Sequence, residues 1–265
     1  MTTYVFDSGR VRPAPLATPV VADSWLVTRG RVRALDAHRA RLSASLVAMA
    51  SGTLEGSPLG PVQALDALRG VEECWPALVR LLPRRGAWFP RVEVNATGRI
   101  GLRLRPSPPR GRTVQLWVAG PDERRFPRVK GPDLPMLLAL CEAAMKRGAD
   151  EAVLTRDGFV VEGATTCLLW WDHDTLCAPD PDLATLPGVT SGLVLAEAES
   201  RGIPVDYRRA RPEDLDGAAV WVLNALHGLR PVTGWVDSPL RAGPARAAGS
   251  WREWLDSLTR PMPPR

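Results

Sequence analysis

Short apolar runs separated by tight-turn signals fill the second half of this chain, and they limit its fold more than any other feature does. The runs EAVLT and FVVEGATTCLLWW flank Arg156-Asp157-Gly158, which predicts two strands joined by a tight turn. The helical spacing in MLLALCEAAMKRG and LPGVTSGLVLAEAESRG predicts two helices that end at Gly148 and Gly202. Further strands are predicted in IPVDYRRA, AVWVLNA and LRPVTGWV, and a last helix in SWREWLDSL. With no internal repeat, this pattern indicates an α+β fold.

The first half combines a hairpin, two helices and further strands. WLVTRGRVRALD predicts the hairpin, and Asp36 suits the N-cap of a helix over AHRARLSASLVAMA. A second helix is predicted from about Val62 to Leu82, with an interruption near Pro76, and strands are predicted at 87–95 and 99–105. The proline-rich stretch VRPAPLATPVVAD predicts a loop. We expect a mixed sheet carrying two helices, which PDERRFPRVKGPDLP links to the second half.

Composition excludes several classes of protein. The chain has 265 residues, of which 45% are hydrophobic and 24% charged, so it can bury a core and is too apolar to be disordered. No run approaches the ~18 apolar residues of a membrane span, and MTTYVFDSGRVR lacks the apolar core of a secretory signal. The four cysteines show no CxxC pair and no metal-ligand spacing. We therefore expect reduced thiols, no metal site and a cytoplasmic location.

Lysine is scarce among the basic residues. Of 34 lysines and arginines only Lys130 and Lys146 are lysines, which is the bias expected of a GC-rich genome. A lysine amine can lose its proton and act as a nucleophile, which arginine cannot do, so each lysine is a candidate for such a task. The net charge of +5 permits nucleic-acid binding, but the arginines are spread through every segment, and no nucleic-acid-binding motif accompanies them. A basic nucleic-acid-binding protein stays as an alternative.

Three features of the second half could support chemistry together. Lys130 precedes a predicted helix, and Glu162 ends an apolar strand next to Gly163. The turn at 186–190 leads directly into a helix, whose first N–H groups and the Thr190 hydroxyl would form an anion site. Each feature alone is typical of an ordinary turn or strand end. It is their order along the chain that indicates a functional site.

That ordered set resembles the fold-type IV pyridoxal-phosphate enzymes. These are the class IV aminotransferases, which include branched-chain and D-amino-acid aminotransferases and aminodeoxychorismate lyase. The similar segments, which lie between about residues 24 and 235, are GRVRALDAHRARL, VKGPDL, RGADEAVLTRDGFVVEGATTCLLWW, LPGVTSGLVLAEAESRGIPV and VLNALHGLRPV. The resemblance implies two α/β subdomains with the cofactor site between them, here 1–120 and 121–265, the second carrying the cofactor lysine. It also implies a homodimer.

The resemblance assigns a role to each matching residue. Lys130 would carry pyridoxal 5'-phosphate covalently and then move the substrate proton, and Glu162 would pair with the pyridine nitrogen. Arg41 would hold the phosphate as a bidentate donor, with Val189 and Thr190 as further phosphate ligands. The remaining assignments are Asn224 and Ala225 at the cofactor-facing turn, and Ser24, Trp25, Thr165, Thr166 and His227 toward the substrate.

Two residues depart from the pattern of the family. Asp133 stands where relatives commonly have asparagine, and a carboxylate close to the lysine would raise the pKa of its amine. Cys167 also replaces an asparagine and so removes an amide. The orientation of both side chains is open at this point.

The resemblance leaves the reaction open between two branches. Transfer of an amino group between a small amino acid and a 2-oxo acid is the default of the family. The alternative is release of pyruvate and p-aminobenzoate from 4-amino-4-deoxychorismate, because Asn224-Ala225-Leu226 is similar to the turn of the lyase. A third reading, a class IV fold that binds a partner without catalysis, conflicts with the retention of Lys130, Glu162 and Arg41.

Overall fold

The computed structural model describes residues 2–7 and 9–264. The helices are α1 (Leu35–Ala50), α2 (Pro61–Arg80), α3 (Leu134–Lys146), α4 (Val189–Ser200) and α5 (Ala248–Ser257). The strands are β1 (Thr2–Asp7), β2 (Arg10–Pro13), β3 (Pro19–Ser24), β4 (Val27–Thr28), β5 (Arg31–Val32), β6 (Ala87–Trp88), β7 (Arg91–Asn95), β8 (Ile100–Leu104), β9 (Val114–Pro121), β10 (Glu151–Arg156), β11 (Phe159–Gly163), β12 (Cys167–Asp172), β13 (Thr175–Pro179), β14 (Val205–Arg208), β15 (Ala219–Asn224), β16 (Gly228–Val236) and β17 (Arg260–Pro261). Among the described residues, no helix has the length and apolar character that a membrane crossing requires.

The chain folds into two compact units. The first comprises Met1–Pro109, Val129–Pro132 and Leu258–Arg265, and the second comprises Arg110–Arg128 and Asp133–Ser257. This division differs from the boundary predicted at residue 120, and it groups Lys130 with the first unit rather than the second. The reason is local, because the N–H of Ala22 on β3 donates to the carbonyl of Lys130 at 2.8 Å.

The first unit is built on a five-stranded sheet of order β2-β1-β8-β7-β3. Every pairing in this sheet is antiparallel, so the prediction of a mixed sheet for the first half is wrong. The residues Pro19–Ser24, predicted as part of a loop, form the edge strand β3, which pairs with β7. Its prolines stand at or before its first residue, and the side chains that follow are buried, so the prolines do not prevent pairing.

Helices α1 and α2 belong to the first unit, as predicted. The predicted break in α2 is wrong, because the helix continues through Pro76. Proline removes one helical hydrogen bond, but Trp75, Leu78 and Val79 are buried around it. Tertiary packing therefore outweighs the local penalty. Strands β17, β5, β4 and β6 form a small separate sheet.

The second unit contains a mixed eight-stranded sheet of order β11-β10-β9-β16-β15-β12-β13-β14. Strand β9 pairs in parallel with both β10 and β16, and most other pairings are antiparallel. Asp157 and Gly158 both have positive φ, 53° and 78°, which confirms the tight turn between β10 and β11. The predicted single strand FVVEGATTCLLWW is two strands, because the chain leaves the sheet at 164–166 between β11 and β12. That break places the three residues after Gly163 in a loop.

Candidate active site

Glu162 lies near the end of β11 and is almost fully buried. Its Oε1 accepts hydrogen bonds from Nη1 of Arg124 and from the N–H of Leu186, the latter at 2.9 Å. A buried carboxylate with a guanidinium and an N–H group as donors favours the ionised form. Glu162 therefore offers a fixed negative charge inside the second unit.

Arg124 is itself held by a second carboxylate. Its Nε and Nη2 each donate to Asp122 at 2.8 Å, and Asp122 also accepts from Nη2 of Arg156 at 2.5 Å. Burial lowers the pKa of Arg124, but Asp122 and Glu162 outweigh it and hold that pKa above its usual value. Sequence reasoning missed Asp122 and Arg124, since nothing distinguishes this arginine from its neighbours in PDERR.

The N-terminus of α4 forms a tight cradle beside Glu162. Gly188 precedes the helix, and a Cβ placed there would overlap Oγ of Ser191 and Sγ of Cys167. Thr190 and Ser191 are buried in the first turn, where the backbone N–H groups have no acceptor within the helix. The segment from Leu186 to Thr190 thus contacts Glu162 at one end and presents a helix N-terminus at the other. Such a terminus suits a phosphate.

The predicted turn at Asn224 joins the same group of residues. Oδ1 of Asn224 accepts from the N–H groups of Leu226 and His227 at 3.1 and 2.8 Å, and its Nδ2 lies 3.4 Å from the carbonyl of Thr165. The amide therefore shapes its own turn and links that turn, including Ala225, to the loop after β11.

Thr165 is fixed by a carboxylate that the sequence did not reveal. Glu151, at the start of β10, is buried and accepts from Oγ1 of Thr165 at 2.6 Å and from its N–H at 3.2 Å. Burial raises the pKa of Glu151, although the bonds from Thr165 oppose the shift. Thr166, the next residue, is buried. The hydroxyl of Thr165 is therefore committed to Glu151.

His227 has a structural contact within the second unit. Its Nδ1 accepts from the N–H of Gly111 at 3.1 Å. Burial and the nearby charges of Arg230 and Arg110 lower the pKa of His227 to about 4. The imidazole is neutral at neutral pH and ties residue 111 to the Asn224 turn.

Both departures from the family pattern have a place in the second unit. The two oxygens of Asp133 accept from the N–H groups of Arg125 and Phe126, at 3.1 and 2.9 Å. The carboxylate therefore fixes the chain that leads to the lysine segment. Cys167 lies beneath Gly188, so its thiol fills the space under the α4 cradle.

In the first unit, Arg41 is anchored by Asp23. Nε and Nη2 of Arg41 donate to the two oxygens of Asp23 at 2.7 and 2.9 Å. His38, one turn earlier on α1, places Nδ1 2.8 Å from Oδ1 of the same carboxylate. Sequence reasoning assigned Arg41 and left His38 without a chemical task, and it missed Asp23, a single carboxylate within the buried strand β3.

The segment around Lys130 presses against β3. Besides the bond from Ala22, Gly131 approaches so closely that a Cβ would lie 2.9 Å from the carbonyl oxygen of Val20 and 3.0 Å from the nitrogen of Ala22. The φ of Gly131 is 136°, a conformation that other residues rarely adopt. The backbone at Lys130 is therefore fixed to the strand that carries Asp23.

Ser24 lies at the end of β3, beside a cluster of arginines. Nη2 of Arg105 is 3.4 Å from Oγ of Ser24, and Nε of Arg105 donates to the carbonyl of Phe89 at 2.7 Å. Arg91 and Arg103 bind the buried Glu93 at 2.6 and 2.7 Å. Burial and the charge of Arg91 lower the pKa of Arg105 to about 10. Two of the three guanidiniums therefore bind one buried carboxylate, and the third, Arg105, binds the carbonyl of Phe89.

The assignment of Trp25 to the substrate needs a correction. Its side chain is 1% exposed and packs against Trp75 of α2 and His38 of α1, with ring centroids 5.5 and 5.8 Å away. The following residues turn into β4, and this directs the indole into the core. Trp25 therefore supports the first unit from inside.

The structure thus collects the predicted site residues into two groups, one in each unit. Arg41, Ser24 and Lys130 gather around β3 in the first unit. In the second unit, contacts between neighbouring segments join Glu162, Thr165, Thr166, Val189, Thr190, Asn224, Ala225 and His227.

A family model described as amino-transferase class IV matches residues 20–235. The chain belongs to the class IV aminotransferase family. The predicted family, fold class and enzyme class are confirmed, and this displaces the nucleic-acid-binding alternative. No curated protein matches the class IV chain.

Solved structures show the same fold over nearly the whole class IV chain. A branched-chain aminotransferase from Thermoproteus uzoniensis with norvaline is 16% identical, with a TM-score of 0.74 and coverage of 99% of this chain and 100% of that one. A hypothetical aminotransferase from Mycobacterium tuberculosis in its PLP-bound form is 19% identical, with a TM-score of 0.71 and coverage of 97% and 98%. A protein from Legionella pneumophila assigned as a 4-amino-4-deoxychorismate lyase is 14% identical, with a TM-score of 0.68 and coverage of 90% of each chain.

The residues of the class IV chain fit the cofactor of its family, pyridoxal phosphate. The cradle at Gly188 excludes even a methyl group, and the first turn of α4 supplies N–H donors and the Thr190 hydroxyl, which suit a phosphate. Glu162 supplies the ionised acceptor that a protonated ring nitrogen requires. Lys130 has the primary amine that attachment of this cofactor would require.

Proposed function

We propose that this chain is a transaminase that transfers an amino group between a small amino acid and a 2-oxo acid. The observation that carries the proposal is the segment from Leu186 to Thr190, which binds Glu162 through the N–H of Leu186 and begins α4 three residues later. A carboxylate that could accept from a ring nitrogen and N–H groups that could bind a phosphate therefore belong to neighbouring segments of the second unit. Those are the two ends of pyridoxal phosphate.

Each residue then has a defined task in the reaction. When bound, pyridoxal phosphate supplies an aldehyde and an aromatic ring that accepts electrons. Lys130 would provide the amine for covalent attachment and the base for the proton of the substrate α-carbon. Glu162 would hold a proton at the ring nitrogen, with Arg124 favouring the ionised form of Glu162. Arg41, Val189 and Thr190 are the residues that would hold the phosphate.

The arginine cluster beside Ser24 supports carboxylate substrates. Arg91, Arg103 and Arg105 surround a single carboxylate, Glu93, so the cluster carries an excess of positive charge. Burial, and then the charge of Arg91, lower the pKa of Arg105, and a bound anion would favour its charged form. Amino acids and 2-oxo acids both carry a carboxylate. One of the similar structures, from Mycobacterium tuberculosis, is described as bound to alpha-ketoglutarate and PMP, so we propose 2-oxoglutarate as an amino acceptor.

The lyase branch is the second candidate. It is favoured by the turn at Asn224-Ala225-Leu226, where Asn224 also bonds the loop at Thr165. The fold it shares with the Legionella pneumophila protein is consistent with this branch. Aminodeoxychorismate is likewise an anion that the arginine cluster would attract.

We also propose that the protein is a homodimer. Helix α3 exposes two large apolar side chains, Leu138 and Met145, on the same face, with the charged side chain of Glu142 between them. Its inner residues Leu137, Leu140 and Cys141 pack on the second unit. Large apolar side chains exposed close together are typical of a surface that another protein covers, which a second copy of the chain would achieve.

The decisive experiment traces the cofactor and the product together. Purified protein loaded with pyridoxal phosphate is reduced with borohydride, and peptide mass mapping is expected to place the adduct on Lys130. Amino acids with 2-oxoglutarate or pyruvate are then assayed beside aminodeoxychorismate. New amino acid indicates the transaminase, whereas release of p-aminobenzoate and pyruvate indicates the lyase.

A lysine pair provides the matched control. Lys130→Ala is expected to abolish turnover and leave the circular dichroism spectrum unchanged, while Lys146→Ala, at the end of α3, keeps full turnover. Mapping of the adduct to Lys146, or turnover by Lys130→Ala at saturating substrate, would contradict the proposed function.

A further inference from the structure

Asp23 is a fully buried carboxylate that binds two side chains of one helix. It lies on β3 with no exposed surface, and both of its oxygens face α1. The helix presents His38 and Arg41 three residues apart, so both reach the same carboxylate. Burying an ionised group is costly unless it is paired and hydrogen-bonded, and Asp23 satisfies both conditions here.

The hydrogen bonds at Asp23 show which groups donate and which accept. An ionised aspartate only accepts, so Nδ1 of His38 carries the proton in the 2.8 Å contact. Burial lowers the pKa of His38, so the imidazole is neutral at neutral pH. Asp23 takes two of the five N–H bonds of Arg41, which fixes the plane of the guanidinium. Arg41 therefore has one orientation instead of many.

We propose that Asp23 is a positioning residue that fixes the guanidinium of Arg41 for the phosphate of the cofactor. The inference rests on the proposed function, because it needs Arg41 to bind that phosphate. Arginine recognises phosphate through a planar, two-pronged geometry, so its orientation determines how well it binds.

The strand that carries Asp23 also holds the lysine segment. Ala22, the residue before Asp23, donates its N–H to the carbonyl of Lys130, and Gly131 packs against Val20 and Ala22. Two adjacent residues of β3 thus fix the predicted phosphate anchor through a side chain and the predicted cofactor lysine through the backbone. Asp23 therefore orients Arg41 from the same strand that fixes the backbone of Lys130.

Charge and geometry act in opposite directions at Arg41. Replacing Asp23 with asparagine removes a negative charge, which by itself would favour a phosphate dianion. Asparagine, however, presents one oxygen and one NH₂ group, so one of the two contacts to Arg41 becomes donor against donor. The guanidinium would turn away from its present plane. We expect this loss of orientation to exceed the gain in net charge.

The test compares two ligands that differ only in the phosphate. Apo-protein is titrated with pyridoxal phosphate and with pyridoxal, and the dissociation constant of each is read from the visible absorbance. Asp23→Asn is expected to weaken binding of pyridoxal phosphate by about tenfold, as loss of a charge-assisted hydrogen bond does, and to change binding of pyridoxal by less than about twofold. Ser45→Ala is the matched control, because buried Ser45 lies one turn further along α1 and bonds only the backbone carbonyl of Arg41. It is expected to behave as wild type.

A double variant shows whether Asp23 acts through Arg41. In an Arg41→Lys background, Asp23→Asn is expected to cause no further loss of affinity for pyridoxal phosphate. Equal losses for both ligands, tighter binding of pyridoxal phosphate, or additive effects in the double variant would each overturn the inference. If wild-type protein binds neither ligand, the proposed function fails instead.

Discussion

At the scale of single residues, buried ion pairs and hydrogen bonds hold the side chains that are proposed to carry the chemistry. Lys130 was conspicuous because only one other lysine exists, and Glu162 because a carboxylate ends an apolar strand. Asp23, Arg124 and Glu151 were not identified, because their importance lies in a partner from a distant segment. In a chain with so many arginines, no local pattern indicates which guanidinium is buried against which carboxylate.

The buried pair at Asp23 predicts a loss of stability in acid. Burial alone would raise the pKa of Asp23, but the bond from His38 and the charge of Arg41 lower it to about 2 from 3.8. A lowered pKa means that the ionised group stabilises the fold above about pH 4, and that this contribution disappears as the pH falls toward 2. The contribution is about 2 kcal/mol.

Urea unfolding at a series of pH values measures this contribution. The free energy of unfolding of wild type should exceed that of Asp23→Asn at neutral pH, and the difference should shrink as the pH falls from about 4 to about 2. Ser45→Ala should differ from wild type by a constant amount. A wild-type advantage over Asp23→Asn that persists unchanged to the acid limit would show that the charge of Asp23 does not contribute.

At the scale of elements, prediction worked where local signals agreed with packing. Helices α3 and α4 end next to Gly148 and Gly202, both with positive φ, as their sequence indicated. The predictions of a loop in place of β3 and of a break in α2 were wrong, because both relied on the presence of proline. In both places the burial of neighbouring side chains outweighed it. Pairing and packing of this kind depend on residues far away in the chain.

Gly188, which precedes α4, and Gly192, which lies within α4, give a matched test of the cradle. Gly188→Ala should lower the free energy of unfolding by about 1–3 kcal/mol, because the new methyl overlaps Ser191 and Cys167. Gly188→Ala should also weaken the binding of pyridoxal phosphate more than the binding of pyridoxal. Gly192 is exposed in the same helix with no atom within 4 Å of a new Cβ, so Gly192→Ala should raise stability by about 0.5–1 kcal/mol. Equal effects of the two changes in thermal and urea unfolding would contradict this description of the helix start.

At the scale of the whole molecule, the family and fold class followed from the order of motifs, which the family match confirms. The division into units differs from the predicted boundary at residue 120. In the structure, residues 129–132 and 258–265 belong to the first unit. Contacts of that kind connect segments whose separation along the chain is large. No pattern in the linker PDERRFPRVKGPDLP indicated that its centre would pair with β3.

The outer face of α3 makes the proposed homodimer testable. Leu138 is 48% exposed and Met145 61% exposed, so replacing both with glutamate should leave the monomer folded and shift it toward a single chain in sedimentation velocity. Val62 on α2 is 67% exposed and serves as the control, since Val62→Glu should leave the dimer intact. A wild-type protein that sediments only as a monomer would refute the proposed assembly.

The path of the chain between its two units has a consequence for how such a protein could be divided. The polypeptide passes from one unit to the other at residues 109–110, 128–129, 132–133 and 257–258. No single cut can therefore release either unit intact, and a fragment ending at residue 109 would lack the lysine loop that rests on β3. Recombination therefore cannot exchange either unit as one continuous segment, and a recombinant chain must keep all four crossings between the units.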